Sequence, residues 1–205
     1  MVMLKRTWSI LVMAIMLAAC SSDPPAPDPA TSSASPATSV PPAGLSFQPG
    51  PAGLKMPISK EAGPHDMTPV PHTFAATPQG AVLAAITAQV WMAGADDDTW
   101  PKVAEYLLEP GLGRDQWAQA RALVSVKGMV KNPAEFIAFK FTSYAADKAI
   151  VLLAARWADG MLTAYPVQLS SLTGGWRVVI PPQGSEPDLS EISDTDLDTF
   201  VRFTP

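Results

Sequence analysis

The chain has 205 residues, 14 of them basic and 19 acidic, which gives a formal net charge of −5. This acidic balance argues against nucleic-acid binding, because phosphate contacts need clustered Lys and Arg. The length suits one domain with a tail. The single cysteine excludes an intrachain disulfide, so the core alone must stabilise the fold.

The first twenty residues predict export followed by lipid attachment. Lys5 and Arg6 precede an uncharged apolar run, residues 8–19, that is followed at once by polar residues. This is the pattern of a secretory signal, and the run is shorter than the roughly 20 apolar residues of a transmembrane helix. Leu17-Ala18-Ala19-Cys20 resembles the bacterial lipobox, in which the cysteine thiol is joined to diacylglycerol and the signal is removed just before it.

The lipobox resemblance predicts residues 1–19 as a lipoprotein signal peptide and Cys20 as the lipidation site. At least two acyl chains would then anchor the protein in the lipid bilayer of the cell membrane, on its extracytoplasmic face. The mature chain would have 12 basic and 19 acidic residues, a net charge of −7. An ordinary signal peptide with a chance cysteine, or an uncleaved anchor, is the alternative.

Residues 20–62 consist mainly of Pro, Ala and Ser. Such a composition buries too little apolar surface to offset the entropy lost on ordering, so we expect a disordered tether biased toward extended geometry. Docking of the Pro-rich run to a partner is the alternative. Residues 63–205 are then expected to form a single extracytoplasmic α+β domain with an acidic tail.

Both histidines, His65 and His72, lie in the lead-in to this domain with Asp66 between them. A metal site would need a third ligand at close range and a fixed geometry. Three prolines, Pro64, Pro69 and Pro71, interleave the candidate ligands and favour an extended segment instead. The sequence predicts no metal site and no cofactor.

Three helices are predicted next. Thr77-Pro78 is a typical helix start, with a hydroxyl at the N-cap and proline at the first position, and the helix should run to about residue 93 before Gly94. The second and third helices are expected over residues 101–108 and 114–124. Residues 96–98 are three aspartates, which we interpret as charges that favour a helix start, since a calcium loop needs alternating ligands and a bidentate Glu.

The remainder predicts an antiparallel meander of four strands, near residues 136–144, 150–157, 161–169 and 176–180. Asp159-Gly160 is a two-residue hairpin signal, and Pro166 should mark an edge or a bulge. The predicted fold class is α+β, with three N-terminal helices packed on a curved four-stranded antiparallel sheet, preceded by the disordered tether. The acidic tail ends in Phe200, Val201 and Phe203, which are apolar enough to pack back onto the domain.

The order of three helices and a curved meander is similar to the NTF2-like cone, which also occurs in extracytoplasmic domains of VirB-type secretion-bridge proteins. Short patterns in residues 77–85, 176–182 and 197–203 resemble an uncharacterised family of actinobacterial lipoproteins associated with conjugative elements. The resemblance covers about residues 63–205. It implies an envelope accessory protein and supplies no catalytic residues.

Two functions follow from these observations. The first is a non-enzymatic lipoprotein that binds an envelope or secretion-apparatus protein, as an accessory to conjugative transfer or secretion, because the chain offers no free thiol and both histidines lie outside the core pattern. The second is a pocket protein of NTF2 type that binds a small molecule or, less favoured, acts like an isomerase. Its candidate polar residues are Tyr106, Asp115, Tyr144 and Tyr165, each of which also has an ordinary structural explanation.

Overall fold

A computed structural model describes residues 35–203. The predicted signal peptide and Cys20 lie outside the described residues. Within this part the helices are α1 (Pro78–Gly94), α2 (Trp100–Tyr106), α3 (Leu112–Arg121) and α4 (Asp194–Leu197). The strands are β1 (Ser46–Pro49), β2 (Lys55–Ile58), β3 (Glu135–Tyr144), β4 (Lys148–Arg156), β5 (Leu162–Ser170), β6 (Arg177–Val179), β7 (Ser190–Glu191) and β8 (Val201–Arg202).

The strands form two antiparallel sheets. The smaller sheet pairs β1 with β2 through a short turn at Pro51–Gly53. The larger sheet has the order β6-β5-β4-β3-β8, and β7 also pairs with β5. Two irregularities in β3, between Phe136 and Ala138 and between Phe141 and Ser143, add residues to one strand only, which bends a sheet locally.

The predicted fold of three helices on a four-stranded sheet, an NTF2-like cone preceded by a disordered tether, is wrong. The three helices and the four meander strands are present, but the large sheet has six strands, and a fourth helix lies in the tail. The two-stranded sheet is built from residues inside the predicted tether. A few apolar side chains in this segment are enough to order it: Met56 is buried, and Phe47 and Ile58 pack against the same core.

Helix α1 is the centre of the core. Its start follows the prediction, since the Thr77 side chain accepts a hydrogen bond from the Gly80 amide at 3.1 Å and Pro78 occupies the first turn. All eight residues of the stretch 81–88 are buried. A helix that is apolar on all sides needs neighbours on all sides, and α1 contacts β2 as well as β3, β4, β5 and β6.

The C-terminal tail packs against the other face of the large sheet. Leu197 of α4 is fully buried in a small cluster with Ala138, Ala154 and Leu162. Helix α4 begins with a capping box in which Ser193 and Asp196 exchange hydrogen bonds. Because β8 pairs with β3 and Phe203 is buried, the expectation that the tail packs back onto the domain is confirmed.

Pro166 lies at a sheet edge, one of the two positions that the sequence predicts for it. Along the outer side of β5, β6 pairs with residues 168–170 and β7 pairs with Thr163 and Ala164. Residues 165–167 between them have no strand partner on that side. The proline, which has no N–H to donate, therefore occupies the one gap in this edge of the described sheet.

Candidate functional site

A cleft of about 550 Å³ lies between the C-terminal half of α1 and the large sheet. The hairpin β1–β2, the loop before β3 and the tail complete its walls. Most lining side chains are apolar, among them Phe47, Leu54, Val90, Phe136, Ile137, Leu153, Ala155, Leu189 and Phe203. We call this space the cleft.

Strand register explains the sheet side of the cleft. Across β4 and β5, Leu153 lies opposite Tyr165 and Ala155 lies opposite Thr163, and Phe136 of β3 is also opposite Ala155. Alternate residues of a strand point to the same face, so all five side chains belong to the face toward α1. Small Ala155 at the centre leaves room that a larger side chain would fill.

An aromatic cluster connects the tail to the hairpin and closes one end of the cleft. The ring of Phe203 stacks on Phe139 with centroids 5.5 Å apart and meets the edge of Phe47 at 6.0 Å. Offset and edge-on ring pairs of this kind contribute beyond their buried area. The last described residue of the chain is therefore part of the cleft wall.

Few polar groups reach the cleft. At its rim Lys55 Nζ lies 2.6 Å from Glu135 Oε1, and both side chains are more than half exposed. Deeper in, Trp157 Nε1 donates to Thr163 Oγ1 at 3.0 Å, so the buried threonine hydroxyl keeps its own hydrogen to donate. Gln89 of α1 is the remaining polar side chain on the helix side.

Tyr165 is the one sequence-predicted pocket residue that lines the cleft. Its side chain is partly buried, and burial, together with the nearby Glu186 carboxylate, raises the pKa of its phenol. Both causes disfavour the phenolate. Tyr165 therefore presents a neutral hydroxyl that can donate or accept a hydrogen bond.

The other three candidates are not brought together. Tyr106 ends α2, with its ring 4.6 Å from that of His72. Asp115 is exposed in the first turn of α3 and accepts from Arg114 at 2.7 Å. Tyr144 ends β3 in an aromatic cluster, where burial raises the pKa of its phenol.

Sequence reasoning missed most of the cleft. Trp157 and Thr163 flank the Asp159-Gly160 turn, and a predicted hairpin register would have placed them near each other. Lys55 and Phe47 come from the segment read as a tether, and Phe203 from the tail. No local pattern in the sequence joins these segments to α1.

The loop of residues 122–134 connects α3 and β3, and its residues 130–134 form one rim of the cleft; we call the whole segment the rim loop. Arg121, which is 5% exposed, anchors it by donating to the carbonyl oxygens of Val124 at 2.7 Å and Ala95 at 2.9 Å. Asp97 completes the anchor, with its Oδ1 3.2 Å from Arg121 Nη2. The hydroxyl of Ser125 also donates to Asp97.

This anchor shifts the titration of its carboxylate. The hydrogen bond from Ser125, then the Val126 amide and the Arg121 guanidinium, lower the pKa of Asp97 below its ordinary value of 3.8. Further along, the Val130 amide donates to the Ala52 carbonyl at 2.9 Å. Hydrogen bonds therefore fix the rim loop near its start, at residues 124–126, and near its end, at Val130.

Other kinds of site find no support in residues 35–203. No group of three or more His, Cys, Asp or Glu is placed there to hold a metal ion. His72 Nδ1 lies 2.8 Å from the Val70 carbonyl oxygen, and its Nε2 lies 4.0 Å from Asp66. Within the same residues, no helix is both long and apolar enough to cross a membrane.

Comparison with known proteins places the chain in a family. No curated protein and no solved structure matches it. One family model, described as Domain of unknown function (DUF8175), matches residues 17–202, which is most of the chain. The chain belongs to this family.

Proposed function

We propose that the protein is a non-enzymatic binding module, anchored by lipid at Cys20 to the extracytoplasmic face of the cell membrane, and that its cleft receives a small, mainly apolar molecule. The cleft carries this proposal. Its volume of about 550 Å³ falls within the range of roughly 300–1,000 Å³ typical of small-molecule sites. Apolar walls with a few placed polar groups are also typical of such sites.

The polar groups suit orientation of a ligand better than catalysis. The titratable side chains among the cleft-lining residues are Lys55, Lys131, Glu135 and Tyr165. Lys55 and Glu135 pair with each other in solvent, and the Tyr165 phenol is kept neutral. The Thr163 and Tyr165 hydroxyls would hold the polar end or a central polar group of the ligand.

Binding of an uncharged apolar fluorophore such as N-phenylnaphthylamine tests the cleft. The full chain with Cys20→Ser, which removes the lipidation site, should enhance its fluorescence saturably. Ala93→Trp places a large ring in the cleft from an exposed position of α1, so it should weaken binding at least about tenfold. The matched control is Ala120→Trp at an exposed position of α3, outside the cleft, which should leave binding unchanged.

Equal binding by the Ala93→Trp and Ala120→Trp variants would contradict the proposal, because the fluorophore would then bind elsewhere. Unfolding curves of both variants show whether the fold is kept. Fluorescence that rises without saturating would also contradict the proposal, because it would indicate nonspecific binding to the protein surface.

The lipid anchor is supported by the lipobox resemblance of Leu17-Ala18-Ala19-Cys20. Mass spectrometry of the membrane fraction should show a mature chain that starts at an acylated Cys20. An unmodified chain that retains Lys5 and Arg6 would refute it. This measurement is independent of the cleft.

A second candidate function is binding to an envelope or secretion-apparatus protein, as an accessory to conjugative transfer or secretion. The resemblance of residues 77–85, 176–182 and 197–203 to lipoproteins associated with conjugative elements favours it. Crosslinking in intact membranes should then recover a specific partner. Recovery of no specific partner would count against this function.

A further inference from the structure

We infer that the rim loop is a contact surface for an anionic lipid bilayer, which it touches with exposed apolar side chains flanked by two lysines. Leu123 is 86% exposed and Met129 is 72% exposed, and Val124 and Val130 also face solvent. Four large apolar side chains thus lie in the water within eight residues. Single exposed apolar residues are common, but a group of this density marks an interaction surface.

Charge identifies the kind of partner. The rim loop contains Lys127 and Lys131 and has no acidic residue, in a chain whose net charge is −5. Neither lysine is among the ion pairs of residues 35–203. Of the carboxylates beside the loop, Asp97 is paired with Arg121 and Glu135 with Lys55, and the Asp96 carboxylate, on the same surface as Lys127, accepts a hydrogen bond from the Thr99 amide. Apolar side chains beside lysines are the composition of segments that bind the interface of anionic membranes.

The loop is built to hold its apolar side chains outward. Arg121 and Asp97 fix its first half, and the hydrogen bond that the Val130 amide donates to the Ala52 carbonyl fixes its second half. Leu123 and Met129 lie between these fixed points and belong to neither core cluster; the end of the Met129 side chain lies against Gly53, and most of the residue stays exposed. A preformed surface of this kind loses little conformational entropy on binding.

The position of the loop connects this surface to the cleft. Val130 and the residues up to Ala134 line the cleft, and exposed Trp157 and Leu189 continue the apolar rim. Contact of the rim loop with a bilayer would therefore bring the cleft mouth to the lipid surface. This last step rests on the proposed function, whereas the contact itself does not.

A single fluorescent label tests the contact at one residue. Cys20 is the only cysteine, so Cys20→Ser allows one environment-sensitive label at Met129→Cys, or at Leu172→Cys as a control on an exposed turn far along the chain. Vesicles of phosphatidylcholine with about a third phosphatidylglycerol should shift the emission of the label at position 129 to the blue and leave that at 172 unchanged. Because both chains share residues 1–34, any binding through that segment affects them equally.

Charge variants measure how much the two lysines contribute to the affinity for vesicles. Lys127→Gln with Lys131→Gln should weaken vesicle binding by about fivefold per lysine, roughly 25-fold for the pair, and high salt should do the same to the unaltered loop. Lys60→Gln with Lys148→Gln, at exposed positions elsewhere, should change it little. Leu123→Ser should weaken binding roughly tenfold.

Three results would overturn the inference. One is an equal shift at positions 129 and 172, and another is equal binding to pure phosphatidylcholine vesicles at every salt concentration. The third is self-association or capture of an envelope protein that depends on Leu123 while vesicle binding does not, which would assign the loop to a protein partner. Fluorophore binding in the cleft is measured separately. Failure of the loop contact therefore leaves the cleft proposal standing, and failure of fluorophore binding leaves the loop contact standing.

Discussion

Replacing Arg121 by Met should destabilise the protein more than any other single change to a charged residue in the rim loop region. The guanidinium is 5% exposed and donates to the carbonyl oxygens of Ala95 and Val124 as well as to Asp97. Met keeps much of the apolar volume but donates nothing. The variant therefore leaves a buried carbonyl without its donor.

The size of the loss in stability follows from the contacts that Arg121→Met removes. Each hydrogen bond from a charged donor contributes on the order of 1.5–3 kcal/mol, and breaking a buried ion pair costs about 3–5 kcal/mol. Asp97 is partly exposed and regains water, so the ion pair counts for less here. We expect Arg121→Met to lower the free energy of unfolding by about 2–4 kcal/mol, a fall in Tm of roughly 5–15 °C for a domain of this size.

Urea unfolding followed by tryptophan fluorescence measures this loss. Limited trypsin digestion measures the local effect, because cleavage after Lys127 and Lys131 should become faster when the loop loses its anchor. Arg114→Met is the control, since Arg114 pairs with exposed Asp115 and should change stability by less than about 0.5 kcal/mol. If Arg121→Met matched Arg114→Met in both assays, the anchoring role of Arg121 would be refuted.

Three further changes test separate parts of the structure. Because the pKa of Asp97 is lowered, its contribution to stability is complete above pH 3.8 and is lost as the pH falls toward the folded-state pKa. Asp97→Asn should therefore make the free energy of unfolding less dependent on pH below about 4, and an unchanged pH dependence would contradict this. Gly113→Ala should cost about 2 kcal/mol or more in urea unfolding, because the new Cβ would overlap the Ile180 carbonyl, whereas Gly111→Ala meets open space and should be tolerated; equal effects would contradict the packing. Phe203→Ala should cost about 3–5 kcal/mol and weaken fluorophore binding, and a loss below about 1 kcal/mol would show that the tail does not close the cleft.

Local signals predicted the elements that depend on local physics. The Thr77-Pro78 start and the Gly94 end of α1 match the structure, as does the hairpin at Asp159-Gly160. The four meander strands were predicted from segments rich in apolar residues that are separated by short turns. Pro166 was predicted to mark an edge or a bulge because it has no N–H to donate, which is a property of the residue itself.

The rest of the fold depends on tertiary contacts. Strands β1 and β2 are four residues each and contain prolines, so neither shows a strand pattern. They are stabilised by tertiary packing, of β2 on α1 and of Phe47 against the core. The sequence marks the bounds of α1 but not that all of residues 81–88 are buried, because the cover on every side of the helix comes from distant strands. Strand β8 has two residues and depends on the burial of Phe203.

The candidate site was the least predictable part. Its lining comes from a hairpin, a helix, a loop, three strands and the tail, so it draws on positions from Phe47 to Phe203 along the chain. Of the predicted polar residues only Tyr165 lies there, because the alternation of β5 fixed its face but nothing in the sequence fixed what lies opposite. Tyr106 and Tyr144 pack in other aromatic contacts.

The dependence of affinity on ligand chain length tests the cleft most directly. Calorimetric titration of the full chain carrying Cys20→Ser with a series of straight-chain alcohols should show Kd falling about fourfold for each added CH₂, with a negative heat-capacity change, until the cleft is filled. Ala155→Leu, which narrows the centre of the cleft, should end this trend at a shorter chain. Affinity that does not depend on chain length, or an identical series in the Ala155→Leu variant, would contradict the account.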